Sequence, residues 1–219
     1  MSLYLGPIHY WLYNKIRILV EREQLLWEAA ARIDADAAEE GREMVWQTYG
    51  APLPDEDLAE LIDADNIHGW LQRQINLAEL REAACVRELL ERLGADSQKK
   101  IKDVFAAQGR QCGLAARKEG REESDAAAAY KAFAGKVLNG MPCDRWDRLE
   151  QENGKLTSWV NEGWIQSANW GKAGADSQFM AQCHEAWHAE FFKALAPQLQ
   201  YAMEIQGELL YRQIAGLAQ

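Results

Sequence analysis

The sequence predicts an all-α fold, an antiparallel helical bundle built from two or three related helical hairpins. Alanine is abundant, with 34 residues, whereas valine occurs 6 times and threonine 2 times, so residues that favour strands are scarce. The five prolines fall where helix starts and interhelical loops are expected rather than inside helices. A third indication is an internal repeat in the first half of the chain, which is typical of tandem helical hairpins.

Apolar residues at helical spacing predict the first elements in order. A long helix is expected over residues 7–33 and a shorter one over 37–49. Asp55 is expected to cap a brief helix that ends near Ile62. A second long helix is predicted over residues 66–93, so that the first hundred residues read as helix, loop and helix again.

The repeat relates these helices to one another. IHYWL at 8–12 recurs as IHGWL at 67–71, an offset of 59 residues. The same offset relates further positions: Ile16 and Ile75, Arg22 and Arg81, Glu23 and Glu82. We therefore predict tandem hairpins over residues 8–50 and 67–109, within a repeat region of residues 1–110.

The remaining residues, 111–219, are predicted to add C-terminal helices to the same bundle, so that the chain forms one domain overall. Helices are expected over residues 124–138 and 198–217. The string GADSQ occurs at 94–98 and again at 174–178, each time before a predicted helix whose first turn Asp or Ser would cap. This echo suggests a third hairpin that begins near Cys143.

Charge and cysteine usage restrict the partners and the compartment. The 34 acidic and 24 basic residues give a net charge of −10, which argues against nucleic acid as a partner. The first charged residue is Lys15, and the uncharged start is too short to span a bilayer and lacks the basic region of a signal peptide. The four cysteines form no CxxC pair, which is typical of reduced thiols. We therefore expect a cytoplasmic protein without a membrane partner.

The leading candidate site lies in the predicted helix that carries His184 and His188. These residues are four apart and share one helix face, so two imidazoles can bind one metal ion. Glu185 and His188 form Glu-x-x-His, which is similar to the spacing in carboxylate-bridged iron or manganese bundles, although the resemblance covers only EAWH at 185–188. The alternative is that each histidine is buried and makes an ordinary hydrogen bond.

His9 and His68 are equivalent positions of the repeat and are the next candidate ligands. They either face each other across a pseudo-twofold axis, or each holds its own helix start by bonding to a backbone carbonyl. Together with His184 and His188 they would offer four imidazoles, a set that suits zinc, iron, copper or nickel more than calcium or magnesium. The cofactor expected overall is a transition metal: iron, zinc or manganese. Haem is less favoured, because no CxxCH motif occurs. Asp144 is a distant further candidate, since it takes the place of the histidine in the predicted third hairpin.

Glu23 and Glu82 are repeated as well, 14 residues beyond His9 and His68. Four helical turns separate each glutamate from its histidine by about 21 Å, so one helix cannot bring both to one ion. An antiparallel neighbouring helix could bring them together. The favoured expectation is that each glutamate pairs with a nearby arginine, since Arg22 and Arg81 are adjacent to Glu23 and Glu82 in the sequence.

Two functions remain open from the sequence. In the first, the protein is a metal-dependent oxidoreductase or hydrolase, in which the ion activates water or dioxygen inside the bundle. In the second, a non-catalytic interaction or chaperone-like protein presents an aromatic groove to a protein partner, either a peptide or a second copy of the chain in a homodimer. Whether the partner is a small molecule or a protein is left open by the sequence. The second hypothesis depends on nine tryptophans, a high number for this length, and above all on the closely spaced Trp159, Trp164 and Trp170.

Overall fold

The computed structural model describes residues 5–119 and 125–216. The described chain contains helices and one antiparallel sheet, with a short 3-10 turn, Ala64–Asn66, before the fourth helix. The helices are α1 Pro7–Ala31, α2 Ala35–Tyr49, α3 Leu58–Leu61, α4 Ile67–Leu93, α5 Ser97–Lys118, α6 Ala126–Ala134, α7 Ser167–Lys172 and α8 Ser177–Leu195. The strands are β1 Arg148–Glu152, β2 Leu156–Glu162, β3 Leu199–Gln206 and β4 Leu209–Gly216.

The chain divides into two compact units. Unit 1 comprises Met1–Ile101 and Ala168–Met180, and unit 2 comprises Lys102–Ser167 and Ala181–Gln219. The first division falls within α5 and the last within α8. No described helix has both the length and the apolar composition that crossing a membrane requires, and residues 1–4 of the uncharged start lie outside the described residues.

Local sequence signals set the helix ends of unit 1. Pro7 is the first residue of α1, where its missing N–H costs nothing. The Asp34 side chain caps α2 by accepting a hydrogen bond from the Ala37 N–H at 3.0 Å. Gly94 ends α4 with a φ of 76°, a conformation that favours glycine. The predicted helices of residues 7–33, 37–49 and 66–93 are therefore confirmed to within a few residues.

The predicted brief helix and the helices predicted after the two copies of GADSQ are also present in the structure. Asp57, rather than the expected Asp55, caps α3 by accepting from the Ala59 N–H at 2.9 Å. Both copies of GADSQ precede a helix, since α5 begins at Ser97 and α8 at Ser177. Asp176 accepts hydrogen bonds from the N–H groups of the second and third residues of α8.

The repeat is visible in the packing of α1 against α4. The His9 and His68 rings lie 5.6 Å apart near the starts of these helices. Two buried ion pairs then cross between them in reciprocal fashion: Arg22 to Glu82, and Arg81 to Glu23. Because equivalent residues lie side by side, α1 and α4 run parallel and are related by an approximate twofold axis.

Unit 2 contains the sheet, in the order β1-β2-β4-β3, with every neighbouring pair antiparallel. Gly207, with a φ of 64°, opens the two-residue turn between β3 and β4. Helix α6 packs on β2 and β4. Large aromatic side chains of α6, β2 and α8 form the buried core here: Phe133, Trp159, Trp187, Phe191 and Phe192.

The sheet shows that the all-α prediction is wrong. The helix predicted over residues 198–217 is the β3–β4 hairpin, apart from Leu217, which lies outside the described residues. The third hairpin is also wrong, because Cys143 lies in a turn and is followed by β1 and β2. The helix predicted over residues 124–138 is present as the shorter α6, and Ser124 lies outside the described residues. The cause is that alanine-rich helices dominate the overall composition and conceal a short segment of strands.

Candidate functional site

The predicted ligands His9 and His68 are placed together in unit 1. His9 is 6% exposed, and its Nδ1 accepts a hydrogen bond from the Gly6 N–H at 2.9 Å, which secures the start of α1. His68 is exposed and its ring lies 5.6 Å from that of His9. The two rings therefore lie next to each other, as the first predicted arrangement requires. His9 also bonds to the backbone at the start of its own helix, as in the second arrangement, although the backbone group is an N–H and not a carbonyl.

His184 and His188 are buried on α8 in unit 2, with exposures of 4% and 3%. Their immediate neighbours are aromatic. The Trp164 ring lies 5.7 Å from His184 and 5.4 Å from His188, and the edge of Phe133 approaches His188 at 4.8 Å. Such rings exclude water from the surroundings of both imidazoles.

Glu185, the third residue of the predicted α8 site, faces a different group. Its Oε2 accepts a hydrogen bond from the Tyr201 hydroxyl at 3.1 Å and lies 3.8 Å from the His188 Nδ1. Burial raises the pKa of Glu185, while the Arg212 charge and the Tyr201 hydrogen bond lower it. Burial and the Glu185 charge raise the pKa of Tyr201 well above its ordinary value. The hydroxyl therefore keeps its proton and acts as the hydrogen-bond donor to Glu185.

These positions do not form the expected metal site. His9 and His68 belong to unit 1, and His184, Glu185 and His188 belong to unit 2. Within residues 5–119 and 125–216, no group of three or more His, Cys, Asp or Glu side chains is arranged to hold a metal ion. The distant candidate Asp144 instead closes a turn by accepting from the Met141 N–H at 2.8 Å. The metal-binding prediction is therefore corrected, because helical spacing alone did not bring a third ligand into place.

A buried polar network crosses unit 2 near His188. Arg212 donates to the Asn161 side chain, and Asn161 donates to Asp147 Oδ1 at 2.8 Å. Asp147 also accepts from the Tyr130 hydroxyl at 2.9 Å. The adjoining void measures only about 10 Å³, the space of a single water molecule. This network therefore ties the sheet to α6 and leaves no room for an organic substrate.

The repeated glutamates pair with arginines, as expected, but across the two repeats. Arg22 Nε donates to Glu82 Oε1 at 2.6 Å, and Arg81 Nε donates to Glu23 Oε2 at 2.8 Å. All four side chains are at most 4% exposed. Each charge is neutralised by its partner, which makes burial tolerable.

Glu79 is a further buried carboxyl, on α4. Burial raises its pKa to about 7, and the charge of Glu82 acts in the same direction. The opposing influence is a hydrogen bond from Asn169 Nδ2 at 2.6 Å, which lowers the pKa. Sequence reasoning missed Glu79, because its repeat equivalent is Val20 and nothing in the sequence distinguishes it from an exposed helical glutamate.

A cavity of unit 1 lies between α1, α2 and the loop that follows α2. It has a volume of about 360 Å³ and is lined by Trp27, Trp46, Arg42, Glu23 and small residues such as Ala35 and Ala38. The volume falls within the range of roughly 300–1,000 Å³ that is usual for small-molecule sites. The cavity therefore has the size, the concave shape and the aromatic walls of a binding site.

Hydrogen bonds and close packing hold the cavity walls in place. The Trp46 indole N–H donates to Glu23 Oε1 at 2.9 Å, and the Arg42 guanidinium lies over the Trp46 ring at 5.0 Å. Gly41 allows Trp27 to lie against α2, since a Cβ there would come within 3.1 Å of the Trp27 ring. The aromatic walls are therefore positioned before any ligand binds.

This cavity was not predicted from the sequence. The predicted aromatic surface depended on Trp159, Trp164 and Trp170, which the structure places on β2, in a loop and on α7. One available signal was the repeat itself: Trp27 corresponds to Val86, and Trp46 to Phe105. The two copies of the repeat therefore differ at two positions of the cavity wall, which distinguishes the first hairpin from the second.

Comparison with known proteins does not assign the chain to a family. No protein-family description matches, and neither a curated protein nor a solved structure shows significant similarity. Functional inference therefore depends on the structure itself, above all on the cavity of unit 1 and the buried polar network of unit 2.

Proposed function

We propose that this protein is a non-catalytic binding protein that takes up a small aromatic molecule in the cavity between α1 and α2. The observation that carries this proposal is a cavity of about 360 Å³ walled by the indoles of Trp27 and Trp46. Aromatic rings offer a large apolar contact area and favour stacked or edge-on contacts with another ring. The void beside the polar network of unit 2, at about 10 Å³, is too small for such a molecule.

The proposal develops the aromatic-groove hypothesis and assigns it to different tryptophans. It does not continue the metal-dependent hypothesis, because no described cluster offers the ligands. Cys85, Cys112, Cys143 and Cys183 are all thiols, which supports a reducing compartment such as the cytoplasm.

Indole is a suitable probe, since it matches the wall rings in size and carries no charge. Isothermal titration calorimetry and saturation-transfer NMR on the full chain should give one site with a Kd on the order of 0.1–1 mM. The blocking variant is Ala35→Leu, because Ala35 lines the cavity and is exposed, so a larger side chain enters the space without disturbing the core. We expect it to weaken indole binding about tenfold or more.

Ala107→Leu is the matched control, because Ala107 is an exposed helical alanine on α5 and does not line the cavity. It should bind indole as the parent chain does. If indole fails to bind, or if Ala35→Leu and Ala107→Leu bind it equally well, the α1–α2 cavity is not the binding site and the proposal is wrong.

A further inference from the structure

Glu28 is a carboxylate at the edge of the α1–α2 cavity. It lines the cavity and is exposed to solvent. Its Oε1 accepts a hydrogen bond from the uncharged Gln24 amide at 2.8 Å, and no lysine or arginine in the described ranges forms an ion pair with it. Gln24, Glu28 and Ala31 are spaced by four and three residues along α1, so they share the helix face that borders the cavity. The Glu28 charge therefore stands at the cavity mouth.

The other charged groups of the lining are already paired. Glu23 accepts a hydrogen bond from Arg81 at 2.8 Å, and Arg42 forms an ion pair with Glu39. Glu28 therefore leaves the cavity with an excess of negative charge, and the chain as a whole, at −10, has the same sign. A cationic ligand gains from this charge, whereas an anionic ligand is repelled by it and finds Arg42 already engaged.

The aromatic walls favour a cation as well. The face of an indole ring carries a negative potential and attracts ammonium and guanidinium groups. Trp46 is half-buried, and its ring already holds the Arg42 guanidinium at 5.0 Å. Trp27 directly precedes Glu28 in α1, and both residues line the cavity. The lining therefore offers a cation both indole rings and a carboxylate without a counter-charge.

We propose that the ligand of this cavity is an aromatic amine, with its ring between Trp27 and Trp46 and its protonated amino group beside Glu28. This inference rests on the proposed binding function and specifies its ligand class. The ring follows from the aromatic walls, and the ammonium group follows from the unpaired carboxylate. Because Glu28 is exposed, the ammonium group keeps part of its hydration at the cavity mouth, and the cost of removing it from water is small.

Three probes with one ring system test the charge of the ligand: tryptamine, indole-3-ethanol and indole-3-acetate. Each carries the indole ring on a short arm, which ends in an ammonium, a hydroxyl or a carboxylate group. Calorimetric titration of the full chain at pH 7 and about 50 mM NaCl should show tryptamine binding about fivefold tighter than indole-3-ethanol, with indole-3-acetate weakest. In about 500 mM NaCl the difference between tryptamine and indole-3-ethanol should fall below about twofold, because salt screens an exposed ion pair.

The variant Glu28→Gln removes the charge and keeps an oxygen that can accept the hydrogen bond from Gln24. We expect it to weaken tryptamine binding about threefold or more at the lower salt concentration, while indole-3-ethanol binds within about twofold of the parent. Glu43→Gln is the matched control, because Glu43 is an exposed glutamate on α2 that does not line the cavity. It changes the net charge by the same amount and should leave both affinities unchanged.

The variant Ala35→Leu shows whether the amine occupies the cavity, since it should weaken tryptamine and indole-3-ethanol alike by about tenfold or more. If it weakens indole-3-ethanol but not tryptamine, the amine binds elsewhere and the inference is overturned. If tryptamine and indole-3-ethanol bind equally well, if indole-3-acetate binds tightest, or if Glu28→Gln behaves like Glu43→Gln, the ligand class is wrong while the cavity remains a binding site. If none of the three probes binds, the proposed function fails and the inference fails with it.

Discussion

Glu79 offers the sharpest test of the energetics of unit 1. Its side chain is buried on α4, and its folded-state pKa is about 7 against an ordinary value of 4.5. Below pH 4.5 the carboxyl is protonated in both the folded and the unfolded chain, so it costs nothing. Between pH 4.5 and 7 the unfolded chain releases the proton while the folded chain retains it, and the free energy of unfolding therefore falls as pH rises.

The size of this effect follows from the two pKa values. At ~1.36 kcal/mol for each pH unit, the difference between 4.5 and about 7 amounts to about 3 kcal/mol, reached in full above pH 7. Glu79→Gln removes the titration and keeps an oxygen that can accept the hydrogen bond from Asn169. We expect the variant to gain about 3 kcal/mol of stability relative to the parent between pH 4.5 and pH 8.

The assay is urea denaturation of both proteins at pH 4.5, 5.5, 6.5, 7.5 and 8, in which the difference between them is plotted against pH. The control is Glu91→Gln, since Glu91 lies on the same helix and its side chain is 64% exposed. Its difference from the parent should not change with pH by more than about 0.5 kcal/mol. A flat profile for Glu79→Gln would mean that the pKa of Glu79 is the same in the folded and the unfolded chain, and the reasoning from burial would then be refuted.

Two further predictions concern packing. Arg81→Met should lower the free energy of unfolding by about 3–5 kcal/mol in urea, because it leaves buried Glu23 without its cation; a loss below about 1 kcal/mol would contradict the role of this ion pair. Gly109→Ala should lower the melting temperature by several degrees, since its Cβ would lie 2.3 Å from the Trp187 carbonyl oxygen and the cost is about 3 kcal/mol. Gly171→Ala, where nothing lies within 4 Å, should melt like the parent; equal melting of both glycine variants would show that α5 and α8 do not approach closely at Gly109.

Part of the candidate site was within reach of sequence reasoning. The offset of 59 residues identified His9 and His68 as equivalent, and the structure places their rings 5.6 Å apart. The expectation that Glu23 and Glu82 pair with arginines was also confirmed. What the repeat did not show is that each pair crosses to the other helix, because spacing along one helix contains no information about its neighbour.

The sheet was missed although a local signal existed. Leu199, Tyr201, Met203 and Ile205 alternate with more polar residues along β3, which is the period expected of a strand. In β4 the same alternation is disguised, because Arg212 occupies a buried position between Leu210 and Ile214. In the sequence, this arginine interrupts the apolar pattern of a strand. Its burial is explained only by the contacts of its guanidinium with Asn161 and Trp164, which the structure shows.

The sequence by itself determined the helices of the first hundred residues, their ends and their repeat, because capping residues, glycine stops and 3.6-residue periodicity act within one segment of chain. It also determined that the chain is acidic and that its cysteines carry no zinc-ribbon pattern. The tertiary structure alone decided which buried charges pair, where Glu79 loses contact with water, and that Trp27 and Trp46 enclose a cavity. These features depend on distances between residues far apart in the chain, which only packing sets.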